Sequence, residues 1–471
     1  MTKRKSFCNS AEVKHPKHNA IKKTLLTIVT ALLVLSLNAQ ISVWDGTAEP
    51  WTHGSGTPSD PILIENAEQL AYLSQNGHQL DCQYYKLMKD IDLDNRDWLP
   101  VGYYSSATST VFNGYFDGNG HTVYHLTTTL FWWMDEGYIK NITIKDSEMV
   151  LQYGLNCFGG MVNYAPLIEN CHNYGDVVLD YEENNNGLNW TMGGIVGDCT
   201  TIENCSNHGK LKVIAKSPLG VLTIGGVAGT AVNMEKSCNT GGFVIDSDVS
   251  KCIAGGVCGV IVGEISNCYN TANLLVGCDN SFVGGITGGA RYGDQDTVNI
   301  NSCYNAGNLN ASNIGGIIAE VITGVTVNVD NCYYIDTIAS TNDYGSPKSE
   351  AEMKTQDFVN LLNTTGDVYA MDDMHVNQGF PIFAQYYSVD EKDAYNGISV
   401  YPNPARNIVH IAFSDDAACA QVDVYSLDGR LLKSQGSDFE RVDMSGLEPG
   451  IYIIKVRLAD GREYSERVVK E

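Results

Sequence analysis

The chain has 471 residues, 43% of them apolar, with 55 Asp and Glu against 30 Lys and Arg and a net charge of −25. That length allows more than one domain, and the apolar share supports folded cores rather than a disordered chain. The acidic balance argues against nucleic acid and anionic membrane surfaces as partners.

The N-terminus reads as an export signal. Lys3, Arg4, Lys5, Lys14, Lys17, Lys22 and Lys23 precede an apolar stretch from Leu25 to Leu37, and Leu37-Asn38-Ala39 offers small-residue cleavage before Gln40. The apolar stretch is short for a membrane span, so a signal peptide over 1–39 is expected, with no transmembrane segment in the mature chain. Its removal takes away seven basic residues and one acidic one, moving the net charge from −25 to about −31.

Residues 40–130 are expected to form an N-terminal cap and the first coils of a solenoid. Asn66-Ala67-Glu68-Gln69 has the form of a capping box, with Leu70 and Leu73 on one helix face and Gly77 as the stop. Asp92-Leu93-Asp94-Asn95-Arg96-Asp97 begins like a calcium loop but lacks the central Gly and the closing Glu. No metal or cofactor is expected.

Residues 131–345 repeat. The pairs Gly159-Gly160, Gly193-Gly194, Gly225-Gly226, Gly255-Gly256, Gly284-Gly285 and Gly315-Gly316 recur at spacings of 34, 32, 30, 29 and 31. An Asn/Ser-Cys step keeps the same beat at Cys171, Cys205, Cys238, Cys268, Cys303 and Cys332. A period of this size marks a repeat architecture. Within one repeat, Thr191 to Ala215, three short β-type runs alternate with polar turns, and none is long enough for a helix. The expected fold is all-β: a β-solenoid (parallel β-helix) of some eight coils, rising about 4.8 Å each. The cysteines are expected inward and reduced, packing as small hydrophobes. Asn173, Asn207, Asn270 and Asn305, each two residues after a Cys, are expected to stack. No Cys-x-x-Cys or paired His spacing suggests zinc.

Residues 346–390 read as a C-terminal cap, with a helix opened by Ser349-Glu350-Ala351-Glu352 and running to about Leu362. Residues 396–471 carry short alternating runs and the turn signals Asp428-Gly429 and Asp460-Gly461. They predict a small immunoglobulin-like β-sandwich of about seven strands.

Few residues suggest catalysis. The carboxylates Asp198 and Glu203, and Asp246 and Asp248, are close in sequence, but Arg291 is the one Arg between Arg96 and Arg406. Glu182-Glu183 reads as a solvated corner. His172 and His208 occupy different repeat positions and read as polar turn residues. Tyr269, Tyr304, Tyr333 and Tyr334 follow the Cys column on successive repeats. If outward, they form an aromatic strip for a glycan or a protein partner; if inward, they are core. They are the candidate ligand-binding residues, and the corners Tyr181–Trp190 and Ala290–Val298 are candidates for specificity.

These motifs carry two resemblances. Gly193-Gly194-Ile195-Val196-Gly197 with Ile202-Glu203-Asn204-Cys205, their counterparts in each repeat, and Ile64-Glu65-Asn66-Ala67-Glu68-Gln69-Leu70 resemble the GLUG-motif family of bacterial surface proteins. Leu130-Phe131-Trp132-Trp133 departs from its Gly-rich step. The resemblance implies an extracellular β-solenoid, often in adhesins or as a non-catalytic part of surface proteases. Tyr401-Pro402-Asn403-Pro404-Ala405, Tyr425-Ser426-Leu427-Asp428-Gly429-Arg430 and Leu447-Glu448-Pro449-Gly450-Ile451-Tyr452 resemble the C-terminal sorting domain of the type IX secretion system. It implies export to the surface of a Gram-negative bacterium, with the type IX machinery as partner. The expected function is adhesin-like binding or scaffolding, with a glycan or host surface protein as partner and no enzyme activity. A carbohydrate-active β-helix lyase or hydrolase is the alternative.

Overall fold

The computed structural model describes residues 41–471 apart from 77–82, 104–110, 152–155, 182–188, 216–218, 246–248, 292–295, 365, 374, 385–397, 402–404, 406, 414–418, 427–429, 437–438, 440, 448–449, 459–462 and 471. The export signal, Gly77, Cys82, Glu182-Glu183, Asp246 and Asp248, most of the corner Tyr181–Trp190, and the turns Asp428-Gly429 and Asp460-Gly461 therefore lie outside the described residues. The chain divides into two compact units, Met1–Gly366 and Asp367–Glu471. The boundary falls inside the segment 346–390 that the sequence groups as one cap.

The first unit is a parallel β-solenoid. One six-stranded sheet stacks Cys157–Gly159, Trp190–Gly193, Leu219–Gly225, Val249–Gly255, Ser281–Gly284 and Asn313–Gly315. A second stacks Glu148–Leu151, Asp176–Tyr181, Leu211–Ala215, Phe243–Ile245, Leu274–Val276 and Leu309–Asn310. The third face belongs to a 22-stranded sheet that continues N-terminally through Gly137–Lys145, Gly114–Asp117 and Gln83–Leu87. Inward residues of successive coils stack like on like: Ile139, Ile168, Ile202, Met234, Ile265 and Ile300 are in register and buried.

Each Gly-Gly pair stands where a side chain would collide with the next coil. The first glycines are in register from Gly159 to Gly315. In the four middle pairs a Cβ on the second glycine would also meet an asparagine, as 2.5 Å from Asn207 Cγ at Gly194 and 2.3 Å from Asn239 Cγ at Gly226. Those asparagines form a buried ladder. Asn173 Nδ2 donates to Asn207 Oδ1 at 3.0 Å, Asn207 to Asn239 at 3.0 Å, Asn239 to Asn270 at 3.0 Å, and Asn270 to Asn305 at 2.7 Å. The second amide hydrogen goes to a carbonyl two residues on, as from Asn173 to Gly175 at 2.9 Å and from Asn207 to Gly209 at 2.9 Å. Both amide hydrogens of Asn173, Asn207 and Asn270 are thereby engaged. Asn239 is a rung that the Cys-based spacing does not reveal.

The Cys column is also a hydrogen-bonded ladder. Each coil turns through a left-handed residue with φ between 45° and 55°: Asn141, Asn170, Asn204, Lys236, Asn267, Ser302 and Asn331. Asn tolerates that region better than most residues, which explains the Asn before Cys. The next residue caps the corner. Cys171 Sγ donates to Glu169 O at 3.3 Å, Cys205 to Glu203 O at 3.2 Å, Cys268 to Ser266 O at 3.2 Å, Cys303 to Asn301 O at 3.1 Å and Cys332 to Asp330 O at 3.1 Å. In the coil between Cys205 and Cys268 the position belongs to Ser237, whose Oγ donates to Glu235 O at 3.0 Å. Cys238 is buried as expected, but it stands one position on, in register with Ser206 and Tyr269. These thiols therefore act as small donors, and a hydroxyl can replace one.

The ends are covered by short helices. At the N-terminal end, α1 (Ala67–Asn76) buries Leu70 and Leu73. Asn66 Oδ1 caps Gln69 N at 2.8 Å, while Gln69 Oε1 reaches back to Glu65 N at 2.8 Å. At the other end the expected single helix is two, α2 (Glu350–Met353) and α3 (Gln356–Leu362), because Thr355 opens a new N-cap by accepting from Phe358 N. Ser349 and Glu352 complete a reciprocal capping box.

The second unit holds a short antiparallel pair, Tyr369–Ala370 with Ile382–Phe383, and a seven-stranded antiparallel arrangement in sheets of three and four strands. Val409, Ile411, Val422, Val424, Met444, Ile454, Val456 and Val468 form its core.

Asn239→Ala should strand a ladder donor on Asn207 and an acceptor on Asn270, at a cost of about 2–5 kcal/mol. Gly226→Ala should cost more, because backbone as well as Asn239 must move. Denaturant titration of the two variants checks the order; equal stability of Gly226→Ala and the parent would refute the steric account.

Candidate functional site

Of the tyrosines singled out from sequence, Tyr269, Tyr304 and Tyr334 are buried and Tyr333 is half-buried. Tyr269 and Tyr304 are 2% and 0% exposed, and their rings stack at 5.1 Å and 7°. Over Tyr304 and Tyr333 lies α3: Phe358 packs edge-on against Tyr304 at 5.8 Å and Tyr333 at 5.4 Å. Tyr334, 8% exposed, follows Asn305 in register and fills the space above Gly316. The two alternatives open in the sequence, outward strip and buried core, thus resolve toward burial at Tyr269, Tyr304 and Tyr334. A helix over this segment is expected from sequence, but its return across 54 residues to pack Phe358 on Tyr304 has no local sign.

The structure joins two histidines that the sequence keeps apart. His172 Nδ1 meets Ser206 Oγ at 2.8 Å, and His208 Nε2 meets the same oxygen at 2.9 Å. His172 Nε2 also meets Asn170 Oδ1 at 3.2 Å, and His208 Nδ1 meets Thr240 Oγ1 at 2.7 Å. Burial pulls both imidazoles down to about 4, with Lys145 adding to the effect on each. Ser206 is a bridge here rather than a nucleophile, since it is 2% exposed. Register explains the meeting: Ser206 lies opposite His172 and two residues before His208.

The acidic candidates are dispersed. Asp198 and Glu203 pair in register with Tyr164 and Glu169, and Lys236 approaches Glu203 at 3.6 Å. Burial pushes Asp198 up to about 6, against a smaller opposing pull from Arg291. In the calcium-like segment, Asp92 Oδ1 is engaged by His125 Nδ1 at 2.7 Å and Asp94 by Arg96 at 3.2 Å.

A different aromatic group is open to solvent. Tyr84, Tyr115 and Tyr138 are in register on the outer face of the large sheet, each half-buried. Tyr84 and Tyr115 stack at 4.2 Å and 12°, and Tyr138 sits across Tyr115 at 5.2 Å with Lys140 Nζ 4.8 Å over its ring. On the same sheet Trp133 and Tyr164, also in register and half-buried, stack at 4.7 Å and 22°. Trp133 Nε1 donates to Asp135 Oδ1 at 2.8 Å, so its indole is held at the surface. Such pairs stabilise a sheet by about 0.2–1 kcal/mol each, but exposed Tyr and Trp on a rigid face also suit recognition. The signal was present as the aromatic run Phe131-Trp132-Trp133, where the repeat motif breaks. It was missed because Tyr84, Tyr115 and Tyr138 precede the first Gly-Gly pair.

Residues 399–471 match the family model for the secretion system C-terminal sorting domain. The chain therefore carries a type IX sorting domain and is exported to the cell surface or extracellular space. No curated protein matches the chain. Two solved structures are similar to it. One is a candidate immunoglobulin A1 protease from Bacteroides ovatus, 17% identical, with TM-score 0.43, covering 71% of this chain and 95% of that one. The other is an IgA1 protease, 14% identical, with TM-score 0.47, covering 86% of this chain; the match spans 35% of that chain's length.

The buried histidines give a pH dependence with a definite sign. Their folded values, about 4, lie below the ordinary 6.5, so the unfolded chain binds more protons between those limits. Stability should be full above about pH 6.5 and fall as pH drops toward 4. Denaturant midpoints measured across that range should flatten when His172→Gln and His208→Gln are combined. An unchanged slope would refute the assignment.

Proposed function

We propose that the protein is a surface-displayed, adhesin-like binding protein whose ligand docks on the outward aromatic group Tyr84, Tyr115, Tyr138, Trp133 and Tyr164. In this reading residues 1–39 are a signal peptide, 131–345 are GLUG-type repeats, and 396–471 are the address that engages the type IX machinery. The observation that carries it is two half-exposed aromatic rows on one sheet, Tyr84–Tyr115–Tyr138 and Trp133–Tyr164, each in register within itself. Ring edges, phenol groups and the flanking Asp135 and Lys140 suit a glycan, which offers alternating apolar faces and hydroxyls; a host surface protein is the competing ligand. The solenoid is the scaffold and takes no catalytic part.

One observation favours a carbohydrate-active alternative: Asp198, raised to about 6, resembles a proton donor poised near neutrality. It has no second carboxylate across from it in the described residues, and a glycosidase needs two.

Glycan-array binding of the full exported chain should fall at least tenfold when Trp133, Tyr138 and Tyr164 are all changed to Ala, with the thermal midpoint little altered. Retained binding would refute the site, and capture of host protein alone would replace the ligand class. Polysaccharides and immunoglobulin A1 incubated with the protein should stay intact; cleavage lost on Asp198→Asn would overturn the non-catalytic role.

Deleting 399–471 should trap the solenoid in the periplasm. A tail-less form that reaches the surface at normal levels would refute the address.

A further inference from the structure

We propose that Cys252 and Cys278 form a disulfide in the exported protein, a covalent staple between consecutive coils. Cys252 lies in the strand Val249–Gly255, fully buried in the column of Trp190, Leu222 and Ser281. Cys278 lies in the next coil's corner, three residues before Ser281, the register partner of Cys252. That corner is anchored on the strand below it: Cys252 N donates to Asn280 O at 2.9 Å, and Asn280 Nδ2 to Ser250 O at 3.1 Å. The backbone therefore holds Cys278, two residues before Asn280, in the corner that packs on Cys252, and each cysteine shifts the titration of the other. That placement is the one a staple between consecutive coils needs.

What separates this pair from the corner-ladder cysteines is access. Cys171, Cys205, Cys268, Cys303 and Cys332 also neighbour one another along the corner ladder, but each is 3% exposed or less and bonds a carbonyl two residues back. Cys278 keeps 9% of its surface exposed, whereas Cys252 keeps none. The neighbouring Cys252 also holds the Cys278 thiol below its ordinary value, and Cys278, with burial, holds Cys252 well above. Cys278 is thus the attacking sulfur.

The reaction needs a two-electron acceptor, and the acceptor is a disulfide of the thiol–disulfide oxidoreductase class met on export. Cys278 thiolate attacks one sulfur of that disulfide, forming a mixed disulfide and releasing the first oxidant thiolate. Cys252 then gives up its proton, attacks Cys278 Sγ and displaces the oxidant. One S–S bond has formed and one has broken. Two electrons and two protons have passed to the oxidant, which leaves as a dithiol.

The test is peptide mapping of full-length protein recovered from the export compartment, acid-quenched, then denatured and alkylated without reductant. A Cys252–Cys278 cross-linked peptide is expected, with the corner-ladder cysteines all alkylated. In C278A, Cys252 should appear alkylated. Adding reductant should lower the thermal midpoint of the parent by a few degrees and leave C278A unmoved. Alkylation of both Cys252 and Cys278 in the unreduced parent, or linkage of Cys278 to a different cysteine, would overturn the proposal. The mapping uses the parent chain, so it holds even if the variant fails to fold.

Discussion

The solenoid depends on one steric bargain: the asparagine ladder exists because a glycine stands against each of its inner rungs. An amide in a dry interior is costly unless both its hydrogens and its oxygen are engaged. Along this chain each Asn supplies what its neighbour needs, in register, across five coils. The stack requires close approach of the facing backbone, and only a residue without Cβ permits it. The left-handed corner and its thiol or hydroxyl cap complete the coil by satisfying the carbonyl that the corner exposes. Hydrophobic columns then fill the space these polar ladders define.

Much of this was legible because the ladders repeat. The Gly-Gly beat marked the coil, and the Asn two residues after most cysteines marked the ladder. What failed was identity at one position. Ser237-Cys238 offers two adjacent candidates, and the cysteine attracted the alignment. Distance decides otherwise: Ser237 is twelve residues from Gly225, as Cys205 is from Gly193 and Cys171 from Gly159. Since the position needs a small donor and acceptor rather than an apolar group, Ser serves it as well. The count does not carry to the later coils: in the next one Gly263 is absorbed in a bulge opposite Ala231 and Asn233, and the two after it are longer still before their cysteine.

The aromatic residues show the opposite limit. Periodicity bears on which way a side chain leaves its strand, and it left Tyr269 and Tyr304 open between surface and core. It cannot say what returns to cover a ring. The C-terminal helix does so through Phe358, a contact between distant segments with no local signature. At the other end the outward rows Tyr84–Tyr115–Tyr138 and Trp133–Tyr164 stay half-exposed, and they fall where the repeat is least regular. The regular coils thus serve cohesion, and the irregular ones are left to vary.

The ladder also has a terminus. Past Asn305 its column is occupied by Tyr334, whose ring fills the volume that Gly316 leaves open. A phenol ring cannot hand an amide bond onward, so the chain of rungs closes there. An open end would offer the last asparagine and its bare strand to any other coil of the same design, including one from a second molecule. Tyr334 thus ends the amide ladder, and the strand Ser346–Lys348 pairs over it before the helices close the end.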